Sequence, residues 1–169
     1  MAPDEAAQHS PDAEDALTSA SRSRSGDVPA PSDFRFHYAV QVRFRDLDPM
    51  GHAHHSLPLI YFEEARAAYW REVVGRVGLD AVDYIIAEAL LRYHTRIRFP
   101  GNPTVGVRVA RVGGSSLTLE YGLWTPESEV LASGRTVQVM YDYARECTVP
   151  VAGDVRARIE HFESGGGVS

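Results

Sequence analysis

Two aspartates and three histidines fall within ten residues of one polar loop, and these are the side chains best suited to chemistry. They are Asp46, Asp48, His52, His54 and His55. Three interpretations of the loop compete: a solvated turn, a metal site, and a carboxylate catalyst beside a helix N-terminus.

The first two interpretations rest on local composition. Asp48, Pro49 and Gly51 occupy the first, second and fourth positions of a segment with favourable turn chemistry, so local evidence alone fits a solvated turn. The histidines lie too close together for a helical ligand pair, and no distant cluster of metal-binding side chains clearly completes a shell. We therefore expect no metal.

The third interpretation follows from the segment after the loop. A helix is predicted from Leu57 to about Val74, with Pro58 in its first turn and Ser56 or His55 as the cap. Unpaired N–H groups and the positive end of the helix dipole can hold a developing oxyanion at this N-terminus. A carboxylate a few residues upstream can reach the same point, and this pairing suits acyl transfer.

The elements that must position this loop follow from hydrophobic periodicity. The helix has two apolar stripes, Leu59, Phe62, Tyr69 and Val73 on one and Ile60, Ala67, Trp70 and Val74 on the other. A surface helix needs only one stripe, so we expect a sheet to wrap this helix. Strands are predicted at 36–44, 92–99, 104–112, 116–124 and 130–143, with a short closing helix at 155–162. Short turns between strands indicate an antiparallel sheet, and one long helix for one sheet is an α+β fold.

Composition excludes several classes of function. The 169 residues are 44% hydrophobic, which fits one globular domain, and all 17 basic residues are arginine. The lack of lysine excludes a Schiff-base or P-loop lysine. A net charge of −6 argues against binding to nucleic acid, and no apolar stretch approaches the roughly 18 residues that span a bilayer. The single cysteine, Cys147, suits a reducing cytoplasm.

The ends of the chain differ in composition from its middle. Residues 1–32 consist largely of Ala, Ser, Pro and acidic residues, so we expect a disordered N-terminal tail without the features of a signal peptide. The predicted domain spans 33–163, and 164–169 is predicted to be a disordered C-terminus.

Longer motifs give the chain a family resemblance. The run from Val42 to His52, followed by Tyr61-Phe62-Glu63-Glu64-Ala65-Arg66, resembles the signature of the 4-hydroxybenzoyl-CoA thioesterase family. Further matches are Tyr93, Arg98-Phe99-Pro100 and Ser115-Ser116-Leu117-Thr118, and the similarity covers about residues 36–150. The resemblance implies a hotdog fold, one long central helix wrapped by a five-stranded antiparallel sheet. It also implies homodimers or homotetramers with active sites between subunits.

The resemblance implies roles for particular residues. Asp48 is the expected catalytic carboxylate, as nucleophile or as general base, and His55 is expected to offer its backbone N–H to the thioester oxygen. The other residues expected to contact substrate are Phe44, Pro49, Gly51, His52, Ser115 and Ser116. The implied reaction is hydrolysis of an acyl-CoA or acyl-carrier-protein thioester to free acid and thiol, with no cofactor and no metal. The implied partners are acyl-CoA and other copies of this chain, without nucleic acid or membrane.

Two departures from the family pattern keep alternatives open. His54 and His55 stand where many relatives have asparagines, so a non-catalytic acyl-CoA-binding hotdog protein is the alternative function. Gly113-Gly114-Ser115 replaces a basic run that holds the CoA phosphates in some relatives, so Arg96, Arg98 or Arg111 would have to replace it. Carrier-protein thioesters therefore stay open.

Glu64 is a rival carboxylate, because other hotdog thioesterases place a catalytic glutamate on the central helix. We interpret Glu63, Glu64 and Arg66 instead as the ordinary polar face of the helix.

Overall fold

Along the chain, one long helix follows the first strand and precedes all the other strands, which is the order expected from the sequence. The computed structural model of the protein describes residues 28–78 and 82–167. Its elements are β1 (Phe36–Ala39), α1 (Leu57–Tyr69), β2 (Tyr84–Tyr93), β3 (Thr104–Val112), β4 (Ser116–Trp124), β5 (Val130–Asp142), β6 (Cys147–Thr148) and α2 (Gly153–Glu163). A π-helical turn, Trp70–Val74, continues α1, so the helical segment ends where the sequence predicts.

The strands form one antiparallel sheet in the order β1-β3-β4-β5-β2, with the short β6 added to β5. β3 and β4 begin and end at the predicted residues, and β5 ends one residue before the predicted Tyr143. β1 is shorter than predicted and ends at Ala39. The helix wrapped by an antiparallel sheet is therefore confirmed, with a sixth strand of two residues added to the expected five.

The core lies between α1 and the concave face of the sheet. Phe62 of α1 stacks on Tyr121 of β4 with ring centroids 4.7 Å apart. Gly134 of β5 allows this close approach, since a Cβ there would meet Phe62 Cε2 at 2.7 Å. Burial of these aromatic rings supplies much of the apolar area that holds the helix to the sheet.

Two expectations about the helix surface are wrong. Leu59, Ile60 and Ala67 are exposed, although all three were placed in apolar stripes, because they share with Glu63 the face of α1 that points away from the sheet, while Leu57 and Pro58 at the same end of the helix are buried. Arg66 is buried rather than part of a polar face, and its guanidinium donates to the Tyr121 hydroxyl at 3.4 Å.

The predicted strand at 92–99 is misplaced. β2 ends at Tyr93, and its ten residues pair along β5 from Tyr84 opposite Met140 to Tyr93 opposite Ala132. Residues 94–98 instead leave the sheet and run beside the polar loop before α1, where Arg98 forms an isolated antiparallel bridge with His52. The polar–apolar alternation in 92–99 does not give alternating burial, because Ile97 is buried whereas Tyr93 and Phe99 are exposed.

The segment before β1 packs on the domain from Pro29 onward. The Trp124 indole N–H donates to the Pro29 carbonyl, and the Phe34 and Trp124 rings meet edge to face at 5.2 Å. The expectation for the N-terminal tail falls mostly on residues 1–27, which lie outside the described residues, as do 168–169 of the expected C-terminal tail. No helix in the described ranges is both long enough and apolar enough to cross a membrane.

Candidate active site

The polar loop before α1 is closed by backbone hydrogen bonds around Asp48. The Asp48 N–H donates to the His52 carbonyl at 2.8 Å, and the Gly51 N–H donates to the Asp48 carbonyl at 3.0 Å. Gly51 has a φ of 76°, a conformation that glycine adopts without strain. The predicted turn is therefore present, and it fixes the backbone that carries the Asp48 side chain.

The Asp48 carboxylate is held through one of its two oxygens. Oδ1 accepts the Met50 N–H at 2.9 Å and the His52 N–H at 3.1 Å. The His52 N–H is the main cause that lowers the pKa of Asp48 below its ordinary value, and the Met50 N–H adds to it, while partial desolvation opposes them. Asp48 is thus an oriented carboxylate that is ionised at neutral pH, and Oδ2 has no hydrogen bond within the described residues.

Asp46 has a structural role in the same loop. Its Oδ2 accepts the Arg43 N–H at 2.8 Å and the Tyr61 hydroxyl at 3.4 Å, and its carbonyl accepts the His54 N–H at 2.9 Å. Burial, followed by the nearby Asp46 charge, raises the pKa of Tyr61 to about 12, so Tyr61 remains a donor at neutral pH. Asp46 therefore ties the loop to α1.

The backbone amide of His55 is unpaired at the start of the helix. Around it, the Ser56 N–H donates to His54 Nδ1 and the Leu57 N–H donates to the His54 carbonyl, so these neighbouring amides are engaged. In the described part of the chain the His55 N–H has no acceptor. The His55 carbonyl accepts the Tyr93 hydroxyl at 2.6 Å, which fixes the following peptide.

The segment after β2 forms the wall opposite the loop. The Ala53 N–H donates to the Ile97 carbonyl at 3.0 Å, and the Ile97 side chain is buried. His94 is half-buried, with Nε2 at 2.8 Å from the Ser133 hydroxyl. Its pKa is lowered mainly by burial and then by Arg92, so the imidazole is neutral at pH 7.

A cavity of about 660 Å³ lies between this wall and the loop. Its lining includes Asp48, Met50, His52, Ala53, His54, His55, Pro58, Tyr93, His94, Thr95, Arg96, Ile97, Arg98 and Leu131. The size is that of a small-molecule site. It brings the ionised carboxylate and the helix N-terminus into one space, which is the arrangement needed for acyl transfer.

The predicted site residues divide into two groups. Asp48, His52 and His55 line the cavity, and Pro49 and Gly51 shape the turn beneath Asp48. Phe44 lies outside, exposed and against the Phe99 ring at 6.1 Å.

Ser115 and Ser116 also lie apart from the cavity within this chain. Ser115 accepts the Met140 N–H through its carbonyl, and Ser116 pairs with Val139 at the start of β4. Their expected contact with substrate stays a prediction.

The rival Glu64 lines a different and smaller cavity, of about 350 Å³, together with Arg43, Arg45, Asp46 and Tyr61. It does not share the space that contains Asp48. Among the described residues, no three His, Cys, Asp or Glu side chains are placed to hold a metal ion.

Two residues that line the cavity were not predicted as site residues. Tyr93 was only a match of the family resemblance, and both Tyr93 and His94 fell within the strand predicted at 92–99. Tyr93 is the last residue of β2 and His94 follows it, and the strand pattern alone does not indicate that the chain turns to the loop at this point.

The chain is similar to known proteins over most of the domain. The model of the thioesterase-like superfamily matches residues 42–159. The YsmA protein of Bacillus subtilis strain 168 is 31% identical over 108 residues, which are 64% of this chain and 74% of that protein.

Solved structures give the same result. A thioesterase from Thermus thermophilus, complexed with coenzyme A and zinc, has a TM-score of 0.69 and 31% identity. The similarity covers 78% of this chain and 96% of that one. The PA2801 protein of Pseudomonas aeruginosa has a TM-score of 0.67 and 30% identity, over 75% of this chain and 98% of that one. The fold is the hotdog that the resemblance implies, and the chain belongs to the thioesterase-like superfamily.

Proposed function

We propose that this protein hydrolyses acyl-CoA thioesters, with Asp48 as its catalytic carboxylate. The observation that supports the proposal is the cavity that Asp48 and His55 both line, with Asp48 ionised and the His55 N–H unpaired among the described residues. Membership of the superfamily and the coenzyme A complex of the Thermus relative support a thioester substrate.

The carbonyl of the thioester would accept the His55 N–H at the N-terminal end of α1. The developing negative charge on this oxygen is favoured by the N–H and by the positive end of the helix dipole. Among the described residues this amide has no competing acceptor, so binding the carbonyl displaces no internal hydrogen bond.

Asp48 would then act through Oδ2, since Oδ1 is engaged by two amides. As a general base it takes a proton from water, and the resulting hydroxide adds to the carbonyl carbon. As a nucleophile it forms an anhydride that water cleaves in a second step. In both routes the C–S bond breaks, the thiolate leaves and takes up a proton, and water supplies the oxygen of the free acid.

The direct test is the variant Asp48→Asn. It preserves the shape of the side chain and removes its charge and basicity, so we expect kcat to fall by about 10²–10⁴-fold or more. The assay is thiol release from a panel of aliphatic, aromatic and branched acyl-CoAs. Binding of acyl-CoA should persist, because removal of a carboxylate relieves repulsion with the phosphates of the substrate.

Two variants serve as controls. Glu64→Gln removes an equivalent charge from the neighbouring cavity and should remain near wild type. His55→Ala keeps the backbone N–H, so its loss should be much smaller than that of Asp48→Asn. An inactive Glu64→Gln beside an active Asp48→Asn would move the carboxylate to the helix. A wild type that hydrolyses no thioester would favour the non-catalytic acyl-CoA-binding protein.

We further infer that the protein self-associates through β2. This strand is ten residues long, pairs with β5 on one side only within the described residues, and exposes Ile85, Ile86 and Leu90. A long apolar edge strand is a ready template for pairing with a second copy. Ser115 and Ser116 would then contribute to a site of the partner subunit.

With one cysteine and no disulfide, we place the protein in the cytoplasm.

A further inference from the structure

Two arginines at the cavity rim have no partner within the described residues. Arg96 and Arg98 are exposed, and neither takes part in an ion pair or a side-chain hydrogen bond with the described chain. Other arginines of the sheet are paired, for example Arg108 with Glu120 and Arg135 with Glu88. Two unpaired guanidinium groups beside a cavity stand out in a chain of net charge −6.

The backbone places both guanidinium groups on the same side. The segment is extended, since Arg98 forms an antiparallel bridge with His52, and side chains two residues apart in extended chain point the same way. Ile97 between them points inward and is buried, and its carbonyl accepts the Ala53 N–H. The pair is therefore anchored on the loop that carries Asp48, with Cα atoms about 6.6 Å apart from the rise per residue.

A second cavity adjoins the first at these arginines. It measures about 520 Å³ and shares with the first Thr95, Arg96, Ile97, Arg98 and Leu131. It does not contain Asp48. A ligand that occupies both cavities therefore extends from the Asp48 carboxylate to the two arginines. This suits a molecule with a reactive group at one end and a negative charge at the other.

Guanidinium groups bind phosphate oxygens through two parallel N–H donors, and they remain charged at every physiological pH. We propose that Arg96 and Arg98 bind the phosphate groups of coenzyme A, which makes free acyl-CoA rather than an acyl-carrier protein the substrate. This inference rests on the proposed function, because it assumes that the thioester lies at Asp48.

The second cavity also argues against a carrier protein. An acidic carrier protein needs a broad basic surface, whereas the positive charge here is confined to two side chains, and Glu127 and Glu129 line the same cavity. These carboxylates repel any anion, phosphate included, so they disfavour most a broad acidic surface that would have to cover them. A small ligand can place its phosphates against the two arginines alone.

The test compares substrates that differ only in the phosphate-bearing part. The variant Arg96→Ala/Arg98→Ala should raise KM for the best acyl-CoA by about tenfold to a hundredfold, with kcat little changed, since the contacts are remote from the reacting carbon. KM for the same acyl group on pantetheine, which has no phosphate, should not change. The Kd of free coenzyme A, measured by calorimetry, should rise in parallel with the KM for acyl-CoA.

Arg111→Ala is the matched control. Arg111 was the third arginine considered for the phosphates from the sequence, but this exposed residue near the end of β3 lines neither of the two cavities, so it has no part in the proposed phosphate site. Its removal should leave both KM values unchanged.

Three results would overturn the inference: an equal loss for acyl-CoA and acyl-pantetheine, a larger effect of Arg111→Ala, or an acyl-carrier protein that is a better substrate and equally sensitive to the two arginines. If the wild type hydrolyses nothing, the proposed function fails. The calorimetry with coenzyme A still decides the role of the arginines.

Discussion

Two aspartates two residues apart differ in what their carboxylates contact. Asp46 Oδ2 accepts the Arg43 N–H and the Tyr61 hydroxyl, which ties the loop to α1, and Asp46 does not line the large cavity. Asp48 Oδ1 accepts two amides of its own turn, and Asp48 lines the cavity with Oδ2 unbonded within the described residues. Amides that bind one oxygen of a carboxylate also fix the position of the other oxygen. The hydrogen bonds that keep Asp48 ionised therefore also orient its Oδ2.

The lowered pKa of Asp48 predicts the pH dependence of activity. The carboxylate form is the active one, and hydrogen bonds from the amides of His52 and Met50 keep it ionised as the pH falls, so its acid limb should lie below the ordinary value of 3.8. The titration of Asp48 should therefore cause no change in kcat/KM between about pH 8 and 5. The measurement is the pH profile of kcat/KM, with circular dichroism to show that the protein remains folded.

An acid limb near pH 6 would contradict that assignment. It would point to a histidine of the cavity as the essential base. The profile of His55→Ala then distinguishes whether that imidazole is the one at 55.

The residue-scale prediction from the sequence depended on two different sources. Turn chemistry around Pro49 and Gly51 was sufficient to predict the loop, and the structure confirms that turn. The choice of Asp48 over Asp46 came from the family resemblance, because local composition does not distinguish two aspartates in one loop. The hydrogen bonds of Asp46 to Tyr61 and Arg43 depend on how α1 meets the loop, which only the tertiary structure provides.

The elements around the loop position the His55 peptide. The last residue of β2, Tyr93, donates its hydroxyl to the His55 carbonyl at 2.6 Å and so links the sheet to the start of α1. Removal of this donor leaves the peptide before the helix without its tether. A misaligned oxyanion donor costs rate rather than stability.

Tyr93→Phe should therefore lower kcat several-fold and leave the melting temperature nearly unchanged, since Tyr93 is 57% exposed. KM for acyl-CoA should change little. Steady-state kinetics and thermal denaturation on the same preparation check both parts. A large fall in melting temperature without loss of kcat would show that the hydroxyl only holds the fold together.

Close contact between α1 and β5 requires a glycine. A Cβ at Gly134 would lie 2.7 Å from the Leu90 carbonyl oxygen and 2.7 Å from Phe62 Cε2, so either the strand pair or the helix must shift. We expect Gly134→Ala to destabilise the protein by roughly 1–3 kcal/mol, the usual cost of overpacking a core. Urea denaturation measures it.

Gly114→Ala is the matched control for that substitution. Gly114 has open space around its Cβ direction and no positive φ, so alanine should be tolerated there. Equal stability of the two variants would mean that the helix can move off the sheet at little cost.

The strands were predictable where one face alone is buried. β3 and β4 alternate between buried and partly exposed residues for much of their length and are bounded by turns, so their limits agree with the prediction. β2 was missed because Ile85, Ile86, Leu90 and Leu91 are apolar without alternation, and a register shift between Ile86 and Glu88 interrupts its pairing. β2 is a strand because it pairs with β5, and the pattern of its own residues does not indicate one.

At the scale of the whole molecule, the sheet has two edges of unequal character. β1 is a short edge of four residues, whereas β2 is a long one with exposed apolar side chains. Soluble proteins usually protect a long apolar edge with charge, with a bulge or with a partner chain. β2 leaves Ile85, Ile86 and Leu90 exposed by 36%, 41% and 40%, so a second copy is the cover we expect.

The protein should therefore behave as a dimer or tetramer in light scattering at micromolar concentration. Leu90→Glu should shift it toward monomer, because a two-fold interface would bring two copies of the new charge close together. The substitution should leave the protomer folded, since the side chain is already partly exposed. Val77→Glu is the control, as Val77 is an exposed apolar residue outside β2 and its change should not affect the mass. If the active site lies between subunits, thiol release should fall together with the dimer fraction. A wild type that is monomeric and active would contradict both the interface and the shared site.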